Sequence, residues 1–211
     1  DLKLNAGFNL IAIPLADATA EGTTEPIKKV KNLGDALGDT WSLIISLNTT
    51  AEPAKFQSFT PTTPETAVSN IDITGTTGLI VMMKQAKTLT LKGNPWPEGD
   101  IKLNPGFNLI GIPLKNESLE KVSNLSTLLG GSVNLIISLD TETGKFQSFT
   151  PTTPETAKSN IIIDGGVGLI LAMRSATEIS VTGEPWSNIH LAPPREPLFM
   201  LNRTISPILE L

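Results

Sequence analysis

The 211-residue chain has no cysteine, no tyrosine and one histidine, and only 18% of it is charged. Without cysteine there is no disulfide, no thiolate zinc site and no cysteine nucleophile. The same absence is neutral about compartment, since secreted proteins of prokaryotes also do without it. A Ser-His-Asp set would have to use His190, which lies outside the repeated parts and has no serine elbow near it; it reads as an ordinary tail residue. Aromatic content is 5%. The net charge of −5 and pI of 4.9 give no sign of a phosphate-binding surface, so no nucleic-acid partner is expected, and the acidity reads as solubility. Long apolar runs are missing too. Gly168 to Met173 is among the longest and is far too short for a membrane span. No glycine-rich loop stands between a strand and a helix, and Gly165-Gly166-Val167-Gly168 reads as a turn.

What fills the gap is Thr, Ser, Asn, Gly and Pro, a composition that favours strands and turns. It is arranged as a duplication. Leu4 to Leu15 returns as Leu103 to Leu114, with Gly-Phe-Asn-Leu-Ile at its centre. Leu43 to Leu47 returns as Leu135 to Leu139, and Phe56 to Ala67, FQSFTPTTPETA, returns unchanged as Phe146 to Ala157. Gly78-Leu79-Ile80 returns as Gly168-Leu169-Ile170, and Pro95-Trp96 as Pro185-Trp186. The offset is 99 at the start and 90 from Phe56 onward, so the first copy has nine extra residues, mostly around Ala16 to Pro26, expected as a surface loop.

Within the second copy, Phe107 to Leu114 reads as a buried strand. Leu119, Val122, Leu125, Leu128 and Leu129 fall at helical spacing, with Ser118 as cap and Gly130 as stop. In the first copy Ile27, Val30, Leu33 and Leu37 repeat the pattern between Pro26 and Gly38. Leu135 to Leu139 and Lys145 to Thr150 flank the turn Asp140 to Gly144 and predict a hairpin. Pro151 to Ser159 is a Pro/Thr loop, and Ile161 to Ile163, Gly168 to Arg174 and Glu178 to Thr182 read as three more strands. The expected fold is mainly β: two tandem homologous domains, 1–97 and 98–187, each a small β-sandwich or barrel-like unit with one short helix, and a tail, 188–211. The short junction Pro97-Glu98-Gly99 predicts modules held close together.

The pattern resembles a repeated module of secreted and cell-surface proteins of bacteria and archaea. That family opens on a G-W-N-L-I-S-L-P-L strand, continues through a helix, a D-x-x-T-G-x-W-like hairpin and a G-x-G-Y-W-I strand, and closes on L-T-V-x-G. The matching stretches are Gly106 to Leu114, Asp140 to Phe146, Gly166 to Ile170 and Ile179 to Gly183, and in the first copy Gly7 to Leu15, Gly75 to Ile80 and Leu89 to Gly93. The opening Trp is Phe8 and Phe107 here, and the Tyr-Trp pair is Leu79-Ile80 and Leu169-Ile170. Any sugar platform those aromatics form in relatives is missing. The resemblance implies an extracellular or cell-surface location.

Candidates for chemistry are few. Glu65 and Glu155 sit in the duplicated loop, where paired carboxylates would suit glycoside cleavage, although recent duplication explains their identity as well. Asp140-Thr141-Glu142-Thr143-Gly144 has some look of an oxygen-rich calcium turn, but a plain hairpin accounts for it, and its counterpart Asn48 to Lys55 lacks the Asp and Gly. Asn48, Asn116, Asn124 and Asn202 head glycosylation sequons, Asn124 being on the expected helix, and the Thr-rich loops suit O-linked sugar. No enzyme, catalytic residue, metal or cofactor is expected. Trp96 and Trp186 end the modules, where packing is the expected role.

After Trp186 the chain begins a third repeat, Ile189-His190-Leu191-Ala192-Pro193, then abandons it for an apolar stretch. Leu198, Phe199, Met200, Leu201, Ile205, Ile208, Leu209 and Leu211 either fold back on the chain's own domains or dock on a neighbouring subunit as an added strand. The expected function is an extracellular structural or adhesive protein, a self-assembling filament or surface-layer subunit with itself as partner. A cell-surface polymer or glycan is a further expected partner. A carbohydrate-binding module pair is the alternative, and a glycoside hydrolase a remote one.

Overall fold

Strands that are apolar on both faces need cover on both, and this chain supplies two different covers. The structure is a computed structural model describing residues 1–49, 51, 54–186 and the main chain of 190–191. The first copy runs β1 (Leu2–Leu4), β2 (Gly7–Ala12), β3 (Ala16–Ala20), α1 (Val30–Leu37), β4 (Trp41–Asn48), β5 (Lys55–Phe59), β6 (Gly78–Met83), β7 (Lys87–Leu89) and β8 (Leu91–Asn94). The second runs β9 (Gly99–Leu103), β10 (Gly106–Gly111), α2 (Val122–Leu129), β11 (Val133–Asp140), β12 (Lys145–Phe149), β13 (Gly168–Met173) and β14 (Thr177–Val181), and β15 (His190–Leu191) follows. The fold is mainly β, with two homologous sheet groups and one short α-helix in each.

Each copy is built on an antiparallel four-stranded sheet, ordered β2-β6-β4-β5 in the first and β10-β13-β11-β12 in the second. One face carries Ile11, Ile44, Phe59, Leu79, Val81 and Met83, all buried against Val30, Leu33 and Leu37 of α1 and against Leu2, Leu4, Leu89 and Leu91 of the short strands. Ile110, Ile136, Phe149, Leu169, Leu171 and Met173 repeat this in the second copy beneath Val122, Leu125 and Leu129. Side chains alternate along a strand, so Leu10, Leu47 and Ile80 point the other way. They meet Leu109, Leu139 and Ile170 of the second sheet in a separate buried cluster. Each such side chain contributes roughly 1.5–3 kcal/mol on burial. The modules therefore pack sheet on sheet.

The main contacts at this junction occur twice with the copies exchanged, as an approximate two-fold relation requires. Ala12 N–H donates to the Gly166 carbonyl (2.9 Å), and its counterpart Gly111 N–H donates to the Thr76 carbonyl (3.1 Å). Ile11 bridges Val167, and Ile110 bridges Thr77. Phe8 meets Phe146 with ring centroids 5.9 Å apart, and Phe107 meets Phe56 at 6.0 Å, both tilted by 49°. Close approach at the bridged corner needs Gly78 and Gly168: a Cβ on Gly168 would lie 2.6 Å from the Ile11 carbonyl oxygen, and one on Gly78 2.7 Å from that of Ile110. Nearby, Ala12 faces its own counterpart, Gly111, with no room for a second Cβ.

Three local expectations change. The nine-residue insertion is not all loop: its first half is β3, which pairs with β8 (Thr19 opposite Lys92, Ala20 opposite Leu91) and buries Ala18. Ile161 to Ile163 is not a ladder strand, because its main chain serves the helix entry instead: Val122 N–H donates to the Ile161 carbonyl and Ile163 N–H to that of Glu120. The α2 pattern is also interrupted. Asn116, not Ser118, caps a single 3-10 turn at Glu117–Leu119, and α2 proper starts after Lys121, whose N–H donates to Asn124 Oδ1.

Candidate functional site

The longest identical stretch of the two copies is the first place to look for chemistry, and the fold uses several of its residues in turns and in the support of a helix entry. Thr60 N–H donates to Thr63 Oγ1 (2.9 Å) and Thr150 N–H to Thr153 Oγ1 (2.9 Å), which closes the same turn twice. At the loop's end, Asn70 Oδ1 accepts from Lys31 N–H (2.8 Å), and Asn160 Oδ1 accepts from Ser123 N–H (2.8 Å). Both are first-turn amides of a helix, which have no partner inside it. Asn70 Nδ2 donates back to the Glu65 carbonyl and Asn160 Nδ2 to that of Glu155 (2.8 Å each). The glutamates contribute main chain here, while their side chains lie exposed in separate modules.

The Asp140 turn is equally self-contained. Asp140 Oδ1 accepts from the Glu142 and Thr143 amides (2.9 and 3.2 Å), and Oδ2 from Gln147 Nε2 (2.8 Å). Hydrogen bonds from the Thr143 side chain, then from the Thr143 and Glu142 amides, hold its carboxyl below the usual aspartate range. Among the described residues no three His, Asp or Glu side chains converge to hold a metal.

Of the sequon residues, Asn48 is the half-buried last residue of β4, opposite Lys55. Asn116 uses both ends of its amide, accepting from Ser118 N–H (2.8 Å) and donating to the Thr182 carbonyl (2.7 Å). Asn124 is exposed on α2, with Oδ1 taken by Lys121 N–H (3.0 Å). Asn202 and the tail set Leu198, Phe199, Met200, Leu201, Ile205, Ile208 and Leu209 lie outside the described residues. Of the start of the third repeat, the main chain of His190–Leu191 is described, and it pairs in parallel with β8, His190 beside Lys92 and Leu191 beside Gly93.

All three tryptophans serve packing. Trp41 is buried and stacks on Phe59. Trp96 Nε1 donates to the Ile13 carbonyl (2.8 Å), and Trp186 Nε1 to that of Ile112 (3.1 Å). The exposed aromatics among the described residues are the four junction phenylalanines: Phe8 (40%), Phe56 (45%), Phe107 (48%) and Phe146 (44%). Two hollows also flank the junction, of about 500 and 480 Å³. Lys3, Asn9 and Leu10 with Leu139 and Thr141 line one; their counterparts Lys102, Asn108 and Leu109 with Leu47 and Thr49 line the other. Sequence reasoning missed this surface. The available signal was the run Phe-Asn-Leu-Ile, apolar on both faces, which asks for cover on the side away from the helix. No family model, curated protein or solved structure matches the chain.

Proposed function

We propose that the protein is an extracellular, non-enzymatic structural or adhesive subunit that assembles with copies of itself. The observation that carries this reading is the two-fold junction. It joins the modules through an apolar sheet-on-sheet core, so one rigid block presents nearly the same surface twice. A block of that kind suits repeated contact between subunits. The use of the repeated Thr and Asn side chains in turns and caps supports a scaffold role. The resemblance of the repeats to a secreted module supports the location, and residues 198–211 offer an apolar subunit contact. Light scattering and negative-stain microscopy of the full chain across concentrations test it. Concentration-dependent assemblies are expected, lost or shortened when residues 198–211 are deleted while the β spectrum stays unchanged. A strict monomer at every concentration overturns the reading.

The four exposed phenylalanines favour one second reading, a pair of carbohydrate-binding modules, since aromatic faces stack on sugar rings. Binding on a glycan array that disappears in Phe8→Ala with Phe107→Ala would support it, and a blank array removes it.

A further inference from the structure

We infer that β5 and β12, the matching outer edges of the two large sheets, are the strands on which a second copy of the chain pairs; the inference rests on the self-assembly reading and names its surface. Each sheet has two edge strands. The edges β2 and β10 are closed at the bridged corner by the opposite module, through Ala12 to Gly166 and Gly111 to Thr76. The edges β5 and β12 pair only with β4 and β11, and among the described residues no strand or isolated bridge lies on their outer sides. Alternate residues of such a strand point N–H and C=O groups outward, a ready template for another strand.

Edges of this kind are commonly defended by charged side chains, a proline or a bulge. Here both edges read Lys-Phe-Gln-Ser-Phe, with the lysine at the first position and no proline. The bulges lie in the β4–β6 and β11–β13 ladders instead. Lys55, Phe56 and Ser58 are exposed, and so are Lys145, Phe146 and Ser148. The strand suits its own copy. Antiparallel pairing centred on Gln57 against Gln57 or Gln147 sets lysine opposite phenylalanine and phenylalanine opposite serine, so no like charges meet. Phe56 and Phe146 already touch Phe107 and Phe8, so the new contact would continue the apolar junction outward. Residues 55–67 and 145–157 are identical, including exposed positions the core does not constrain. One occupied edge leaves the other free, so growth stays open-ended.

The test is Ser58→Lys with Ser148→Lys in the full chain, beside the strand-compatible control Ser58→Thr with Ser148→Thr. The lysine variant is expected to lose assembly or to need at least a tenfold higher concentration, and the threonine variant to assemble normally. Hydrogen exchange on wild-type protein supplies a readout free of substitution: amides of 55–59 and 145–149 gain protection in the assembled sample over the dilute one. A lysine variant that assembles like wild type, with no gain in protection, overturns the edge inference and leaves self-assembly standing. Protection already present in dilute chain and lost on deleting 198–211 assigns the edges to the chain's own tail and overturns it too. A wild type that never assembles removes both readings together.

Discussion

The two modules share one fold but fill the space beneath their helices differently. In the first, Trp41 lies against α1 at Gly34, where a Cβ would come within 2.6 Å of the indole, and Trp41 Nε1 donates to the Gly34 carbonyl (2.9 Å). In the second, the matching positions are Val133 and Ser126. A large residue facing a gap has become a small residue facing a side chain, so the core conserves the sum of the pair and not its members. The strand after the last turn differs likewise. β3 flanks β8 in the first module, whereas in the second the main chains of Lys115 and Glu184 exchange two hydrogen bonds just past β14, and the Asn116 side chain donates to the Thr182 carbonyl. The junction differs less: its backbone bonds and its phenylalanine pairs recur on both sides, and the change from Ala12 to Gly111 is confined to one pair of facing positions.

The sharpest way to break this comparison is Trp41→Ala, expected to cost about 3–5 kcal/mol in denaturant unfolding. Val133→Ala at the matching position should cost clearly less; equal costs would mean that the indole fills no space of its own. Next come Gly78→Ala and Gly168→Ala, each expected to cost about 1–3 kcal/mol, because the added methyl meets backbone that cannot swing aside. The two costs should agree, and a clear inequality would break the two-fold relation. Gly34→Ser alone should cost about 1–3 kcal/mol, but Gly34→Ser with Trp41→Val should cost less than the sum of its parts by about 0.5–3 kcal/mol. Strict additivity would show that the two positions are independent. The smallest effect concerns Asp140, whose counterpart Asn48 does not titrate. The folded pKa of Asp140 is lowered, so its contribution is complete above the ordinary aspartate value near 4 and disappears as pH falls through the folded value. Asp140→Asn should therefore flatten the acid side of the stability curve. An unchanged acid limb would mean that the turn holds the neutral carboxyl just as well.

Local signals made most of this fold legible. The helix stops at Gly38 and Gly130, the hairpin around Asp140 and the large-sheet strands follow from periodicity and turn chemistry. Asp17 to Ala20 escaped notice as a strand, because small and polar residues carry little pattern and the pairing with β8 supplies the order. Ile161 to Ile163 misled in the opposite direction: β-branched residues suggest a strand, yet the nearest unpaired groups belonged to the helix entry. The repeated Thr-Pro loop drew attention by its identity, but its Asn70 and Asn160 find their partners 39 and 37 residues back along the chain, a distance that no local pattern spans. The junction was hidden for the same reason, since sequence shows that a face is apolar without naming its partner.

The meeting of Ala12 with Gly111 carries one more consequence. When two identical protomers associate about an axis, a residue on that axis must face itself, and any change there is made on both sides at once. Duplication within one chain lifts that obligation. Here one side keeps a methyl group and the other gives it up, an arrangement closed to a dimer of identical modules. The fused pair is thus an associated dimer that has acquired a front and a back, and each half is free to drift as long as the other answers.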